Sequence, residues 1–225
     1  MQNSIHSDTR PIAATVNRIP YRGISSSSYL LKFGIVFLFF FALPYLVMWA
    51  TNMPEAYKYY LITVLFLLSV AHSYFERKTL RELGLRLDTF KKSLFWHGVL
   101  IAILTLAIYI ASINQLYRSS TQPAPSLSDT IFYFFISCPV QEFLYRSFLF
   151  SEMKRAKITN FWMQIFISAF AFSFFHIHHR DMLTLAVTFF IGAAWAIIYR
   201  RYPNLIAVAL AHSSLGLVAI LTKVV

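Results

Sequence analysis

Seven apolar runs, each closed by a polar connector, are what most constrains the fold of this chain. They extend from Tyr29 to about Ala50, from about Tyr57 to Phe75, from about Ser93 to Ile113, from about Asp129 to Phe150, from Phe161 to Phe175 or a little beyond, from Met182 to Tyr199, and from about Leu205 to Leu221. A helix needs about 20 apolar residues to cross the hydrocarbon of a bilayer. The composition agrees: 58% of the residues are hydrophobic and only 13% are charged, against about 25% charged in a soluble domain. The chain is therefore expected to be all-α, a polytopic transmembrane helix bundle of about seven spans, with a transmembrane domain over 29–225. Residues 1–28 are polar, carry Arg10, Arg18 and Arg22, and have no short apolar stretch with a small-residue cleavage site. They read as a cytoplasmic tail rather than a signal peptide.

The net charge of +11 does not point to nucleic acid, because the bases come in bursts between apolar runs. Arg77, Lys78, Arg81, Arg86, Lys91 and Lys92 crowd one connector, Lys154, Arg155 and Lys157 a second, and Arg200 and Arg201 a third. The alternate connectors carry Lys58, Arg118 and Arg180. With seven spans and a cytoplasmic N-terminus, every base-rich connector falls on one side, as the positive-inside rule requires. A bacterial-type plasma membrane is the expected location. Arg81-Glu-Leu-Gly-Leu-Arg86 reads as a short amphipathic element at the membrane surface. Thr51-Asn-Met-Pro54 breaks the chain after the first run, and Pro44 is placed to kink that run. The lone cysteine, Cys138, excludes an intrachain disulfide and a cysteine-based zinc site, and reads as packing. Gly192 and Ala196, four apart, let helices approach closely.

Against this apolar background a few polar residues stand out. Glu142 and Arg146 lie one turn apart inside the fourth run and can pair on one helix face. His176 closes the fifth run and His212 sits in the seventh. An ionisable group inside a membrane costs roughly 2.5–3.5 kcal/mol on insertion scales, so it marks function by default. A carboxylate and imidazoles on separate spans are the elements of general acid–base chemistry on water. They are also donors that a divalent metal such as zinc accepts, with His176, His212 and Glu142 as the ligands if one is held. His178 and His179 do not share a helix face with His176 and read as interfacial. A structural ion pair accounts equally well for Glu142 with Arg146 alone. Counted from the basic side, His176 lies farther along its span than Glu142 and His212 along theirs, so convergence requires a tilted or broken fifth helix or a different boundary near Lys154–Asn160.

With these residues in view, the chain resembles the CAAX protease and bacteriocin-processing family of intramembrane endopeptidases, over about residues 80–220. That family's Glu-Glu-x-x-x-Arg motif is matched by Gln141-Glu142-Phe-Leu-Tyr-Arg146, followed by Ser147 where Gly is usual. Its Phe-x-x-x-His is matched by Phe172 and His176, its helix of spaced small residues by Phe189, Gly192 and Ala196, and its last histidine by His212, with Gly216 four residues on. Glu82-Leu-Gly-Leu-Arg86 is similar to a stretch of bacterial members. The resemblance implies a peptide bond hydrolysed within the bilayer, in a peptide, precursor or prenylated protein. Glu142 and His176 would activate water, Arg146 would hold Glu142 ionised, and His212 would stabilise the oxyanion. A metal-free site is the expected form.

Two departures bear on that mechanism. Gln141 replaces the first glutamate, and an amide is no general base. Gly216 stands where an asparagine is frequent, which removes an oxyanion donor. They motivate a second reading, a catalytically impaired pseudo-protease that binds and regulates a membrane protein partner. A transporter or proton relay on the same buried groups is a third, opposed by the absence of an internal repeat.

Overall fold

The computed structural model describes residues 26–54, 57–114 and 125–222. Most of the expected tail, most of the loop after Ile113 with Arg118, and Lys223 lie outside the described residues. Every described element is helical. Seven rods follow, one for each apolar run: α1 (26–50), α2 (Tyr57–Phe75), α3 (Phe90–Ile113), α4 (127–155), α5 (Phe161–Phe174), α6 (Met182–Arg201) and α7 (Leu205–Leu221). Rods α1, α2, α3 and α6 are each long and apolar enough to cross a membrane, and α5 and α7 are shorter apolar rods. Their outward faces carry large apolar side chains in the open, among them Leu67, Leu106 and Phe190. That is the surface of an integral membrane protein, whose solvent is lipid.

The rods begin where the sequence supplies a side-chain acceptor. Ser126 and Asp129 form a reciprocal capping box at α4, and Asn160 accepts from the Met163 N–H at α5. Asp181 accepts from the Leu183 and Thr184 N–H groups at α6, and Asn204 from Ala207 at α7. Each satisfies backbone donors that a helix start otherwise leaves open.

Rod α4 is the central element. Its middle packs against α2 and α7, and its later turns meet α1 and α5. Rods α5 and α6 pack along each other, as do α3 and α7. Among the described residues, two rods contain π-helical turns. In α1 the π turn covers Leu38–Ala42 and runs into Pro44. In α4 one covers Tyr133–Ser137, just before Pro139, and a second covers Phe143–Phe148. A proline has no N–H for the carbonyl four residues back and crowds it. Widening the preceding turn relieves both problems, so Pro44 opens the α-helical segment that follows the π turn.

At one end the basic connectors meet. Lys78 pairs with Glu152 and Ser151 of α4, and Arg155 Nη1 lies 2.9 Å from Glu76 Oε2. The connector between α2 and α3 is tied down through its backbone: the Leu205 N–H donates to Gly84 O at 3.0 Å, Ser147 Oγ donates to Leu83 O, and Asn204 Nδ2 donates to Arg86 O. Gly84 has φ +76°, and a Cβ there would lie 2.4 Å from the Tyr199 hydroxyl. Only glycine combines that backbone with that approach. The expected amphipathic element is therefore a turn-rich shelf folded against the rod ends. At the opposite end Lys58 Nζ lies 3.3 Å from His178 Nε2, and Arg180 donates to Trp49 O at 2.9 Å.

Candidate active site

The centre of the bundle holds a chain of charged and polar groups built from three rods. Glu142 and Arg146 project from α4 across its second π turn, and both side chains are fully buried. Arg146 Nε lies 3.2 Å from Glu142 Oε2, a charge contact rather than an aligned hydrogen bond. Arg146 Nη2 donates to the Gly192 carbonyl of α6 at 3.2 Å. Its guanidinium lies over the Phe172 ring at 4.4 Å and beside Trp195 at 5.6 Å. Weak hydration of the guanidinium and its affinity for aromatic faces make this a favourable place to hold an arginine out of water. α5 approaches α6 so closely that a Cβ on Gly192 would come within 2.9 Å of Phe172. The small-residue spacing read from the sequence thus brings a backbone carbonyl to Arg146.

From α7, His212 Nδ1 reaches Glu142 Oε1 at 2.8 Å. Its ring lies 4.8 Å from Trp195, and edge-on to Phe172 at 5.5 Å and Tyr133 at 6.3 Å. Glu142 thus bridges Arg146 and His212, and the carboxylate fixes both the tautomer and the direction of the imidazole. The buried Cys138 thiol lies beside both His212 and the Tyr133 hydroxyl.

His176 is one aromatic ring away. Rod α5 runs unbroken to Phe174, which leaves tilt or a shifted boundary as the ways to bring His176 to the depth of the others, and His176 follows it in a turn. Its Nδ1 donates to Phe172 O at 3.0 Å, which folds the ring back to 5.2 Å from Phe172. Both imidazoles therefore pack against the Phe172 ring, and His176 lies within electrostatic reach of His212. Gln141 is buried and donates to Ser137 Oγ at 3.1 Å on its own helix. His178 and His179 lie beyond, their rings 4.0 Å apart.

Two residues that sequence reasoning passed over border this cluster. His97 of α3 is fully buried, donates through Nδ1 to Ser93 O at 2.8 Å, and feels the charges of Glu142 and Arg146. Its position in an apolar span was the available signal. Tyr133 lies against the bare Cα of Gly216, where a Cβ would fall 2.1 Å from its hydroxyl oxygen. That contact crosses between rods and has no local sequence signature. Arg146 Nη1, Trp195 Nε1 and His97 Nε2 are buried without a hydrogen-bond partner. Buried polar atoms are ordinarily paired, so such atoms beside a charged cluster suit a site that receives a polar ligand.

The same donors are a poor metal site. Among the described residues no group of three or more His, Cys, Asp and Glu is placed to hold a metal ion. Glu142 has one oxygen bonded to His212 and the other facing the Arg146 guanidinium, whose charge opposes a divalent cation there. Glu142, His176 and His212 do not fit zinc in this arrangement.

No curated protein and no solved structure matches the chain. Residues 123–218, the stretch that holds Glu142, Arg146, His176 and His212, match the family described as Type II CAAX prenyl endopeptidase Rce1-like, and the chain is similar there to membrane CAAX proteases.

Proposed function

We propose that this protein is an intramembrane endopeptidase of the CAAX-protease type, cleaving a peptide bond in a prenylated or precursor segment that enters from the membrane. The observation that carries the reading is the buried contact of His212 Nδ1 with Glu142 Oε1 at 2.8 Å, backed by Arg146. A base or electrophile oriented by a second group is the arrangement that acyl-transfer sites share.

In this proposal one role differs from the one the resemblance implies. Glu142 faces His212 and Arg146, so it acts as the positioning carboxylate of His212 and not as the group that takes a proton from water. His176, with Nδ1–H bonded to Phe172 O, presents Nε2 as the acceptor and is the general base. Water transfers a proton to His176 Nε2 as its oxygen adds to the scissile carbonyl carbon. His212 donates an N–H to the resulting oxyanion, and Glu142 balances its charge. Collapse of the intermediate breaks the C–N bond, and the leaving amine takes the proton back from His176. The Tyr133 hydroxyl, held beside Gly216 and near His212, is a second oxyanion donor and occupies space that a side chain at 216 would otherwise fill. No step passes through a metal.

The test uses purified protein in liposomes with a farnesylated CAAX peptide as substrate. Cleavage per folded molecule should be lost in His176→Ala and His212→Ala and reduced at least about 100-fold in Glu142→Gln, as when a catalytic imidazole loses its orienting carboxylate, with the folded fraction measured for each variant because Glu142→Gln leaves Arg146 unpaired in the interior. Full activity in all three variants refutes the reading. Gln141→Glu should raise the rate if the amide is a handicap.

Gln141, bound to Ser137, favours a second reading. A chain without a carboxylate at that position would serve as a pseudo-protease that regulates a membrane partner. A triple variant lacking Glu142, His176 and His212 that still complements a deletion phenotype would establish it over catalysis.

A further inference from the structure

The shelf between α2 and α3 has no part in the chemistry above, yet it is among the most firmly anchored connectors. Besides its bonds to Ser147, Asn204 and Leu205, Thr89 Oγ1 donates to Pro203 O at 2.6 Å. This anchoring sets Arg81 and Arg86 opposite Lys154 of α4 and Arg200 of α6 around a cavity of about 310 Å³. Two carboxylates lie near these four cations. Asp88 is shared by Arg81 and Arg86. Glu82 turns back to accept from the Thr79 N–H at 2.9 Å and its hydroxyl at 3.2 Å, and these bonds hold its carboxyl below its ordinary pKa. A local surplus of two positive charges remains, facing a recess with Phe150 on its wall.

We propose that this cavity binds the phosphate-bearing headgroup of an anionic phospholipid. Charge complementarity sets the chemical class: guanidinium and ammonium groups converge on a space large enough for a phosphodiester and its glycerol. Position selects a lipid over a free anion. The cavity lies at the ends of membrane-spanning rods, the level at which headgroups lie, where basic pockets between helices take anionic lipids. Leu80 and Leu87 of the shelf are 66% and 85% exposed, and Trp162 at the start of α5 is 69% exposed. Leu80 precedes Arg81 and Leu87 follows Arg86 in the chain, so the segment that supplies two of the bases also offers exposed apolar side chains, which suit acyl chains and the interfacial zone rather than a soluble anion. The site is independent of the proteolytic reading and stands or falls without it.

The experiment measures the thermal unfolding midpoint of the purified full chain in a neutral detergent, with added phosphatidylglycerol, phosphatidylcholine or inorganic phosphate. Phosphatidylglycerol should raise the midpoint, and the other two should leave it unchanged. The Arg81→Gln/Lys154→Gln variant, altered at exposed positions, should bind phosphatidylglycerol about tenfold more weakly. An equal rise with phosphatidylcholine, an equal rise with inorganic phosphate, or full retention of the phosphatidylglycerol effect in the variant each overturns the proposal. The lipid comparison on the unaltered protein decides it even if the variant does not fold.

Discussion

Glu142 and Arg146 raise the question of what an ion pair does when both partners are withdrawn from water. Such a pair adds little net stability against an apolar substitute, but removing one partner leaves an uncompensated buried charge. Arg146→Ala should therefore destabilise the protein by about 3–5 kcal/mol, measured as a shift in unfolding in mixed micelles. Arg146→Lys should recover only part of the loss, because an ammonium cannot reach Glu142 and the Gly192 carbonyl together while lying flat on Phe172. A loss below about 1 kcal/mol for the alanine variant, the range of an exposed pair, would mean that the pair is hydrated. Gly216 gives a second prediction. Its Cβ would fall 2.1 Å from the Tyr133 hydroxyl, so Gly216→Ala should cost about 1–3 kcal/mol through overpacking. Combining it with Tyr133→Ala should relieve the strain, and the double-mutant cycle should show a coupling of at least about 1 kcal/mol. Additive effects would place the Tyr133 ring elsewhere. The sequence exposed Glu142, Arg146, His176 and His212 because charge and imidazole are conspicuous in apolar spans. It concealed Tyr133, since an aromatic residue beside a glycine becomes informative only after two rods have packed.

Among the elements, the seven rods were legible from apolar length and from the polar connectors that close each run; the caps Ser126, Asn160, Asp181 and Asn204, which open four of them, add a local signal that the structure brings out. The π turns were not legible in the same way. Pro44 and Pro139 announce a disturbance, but whether a proline kinks a helix or widens its preceding turn is decided by what packs on either side. Rod α6 shows what a cap contributes. Asp181 accepts from the Thr184 hydroxyl and N–H and from Leu183, and these bonds hold its carboxyl below its ordinary pKa. The sign follows: stability from the cap is complete above the unfolded carboxylate range, near about pH 4, and is lost as pH falls through the depressed folded value. Asp181→Asn keeps an acceptor oxygen but cannot titrate. It should flatten the acid limb of the stability curve without moving the neutral-pH midpoint by more than a degree or two. An unchanged acid limb would assign that limb to other carboxylates.

For the whole molecule, the convergence of connectors at one end bears on orientation. The cavity lined by Arg81, Arg86, Lys154 and Arg200 shows that three base-rich connectors share one end of the bundle. Lys58, His178 and Arg180 gather at the other end. Retention of Lys and Arg on the cytoplasmic side is the strongest determinant of topology, so the base-rich end should be cytoplasmic. His176 lies toward the base-poor end and His212 toward the centre, so under the proposed endopeptidase function a substrate peptide would reach the site from within the membrane or from that face. Cys138 is the chain's lone cysteine and is buried, so Cys138→Ala provides a cysteine-free background at modest cost. Single cysteines introduced as Lys154→Cys and Arg201→Cys should react with a membrane-impermeant maleimide only after cells are opened. One introduced as Met53→Cys, in the exposed connector after α1, should react in intact cells. The reverse pattern would invert the molecule and place the anionic-lipid cavity in the outer leaflet. Labelling of all three in intact cells would mean that the bundle does not span the membrane in this arrangement.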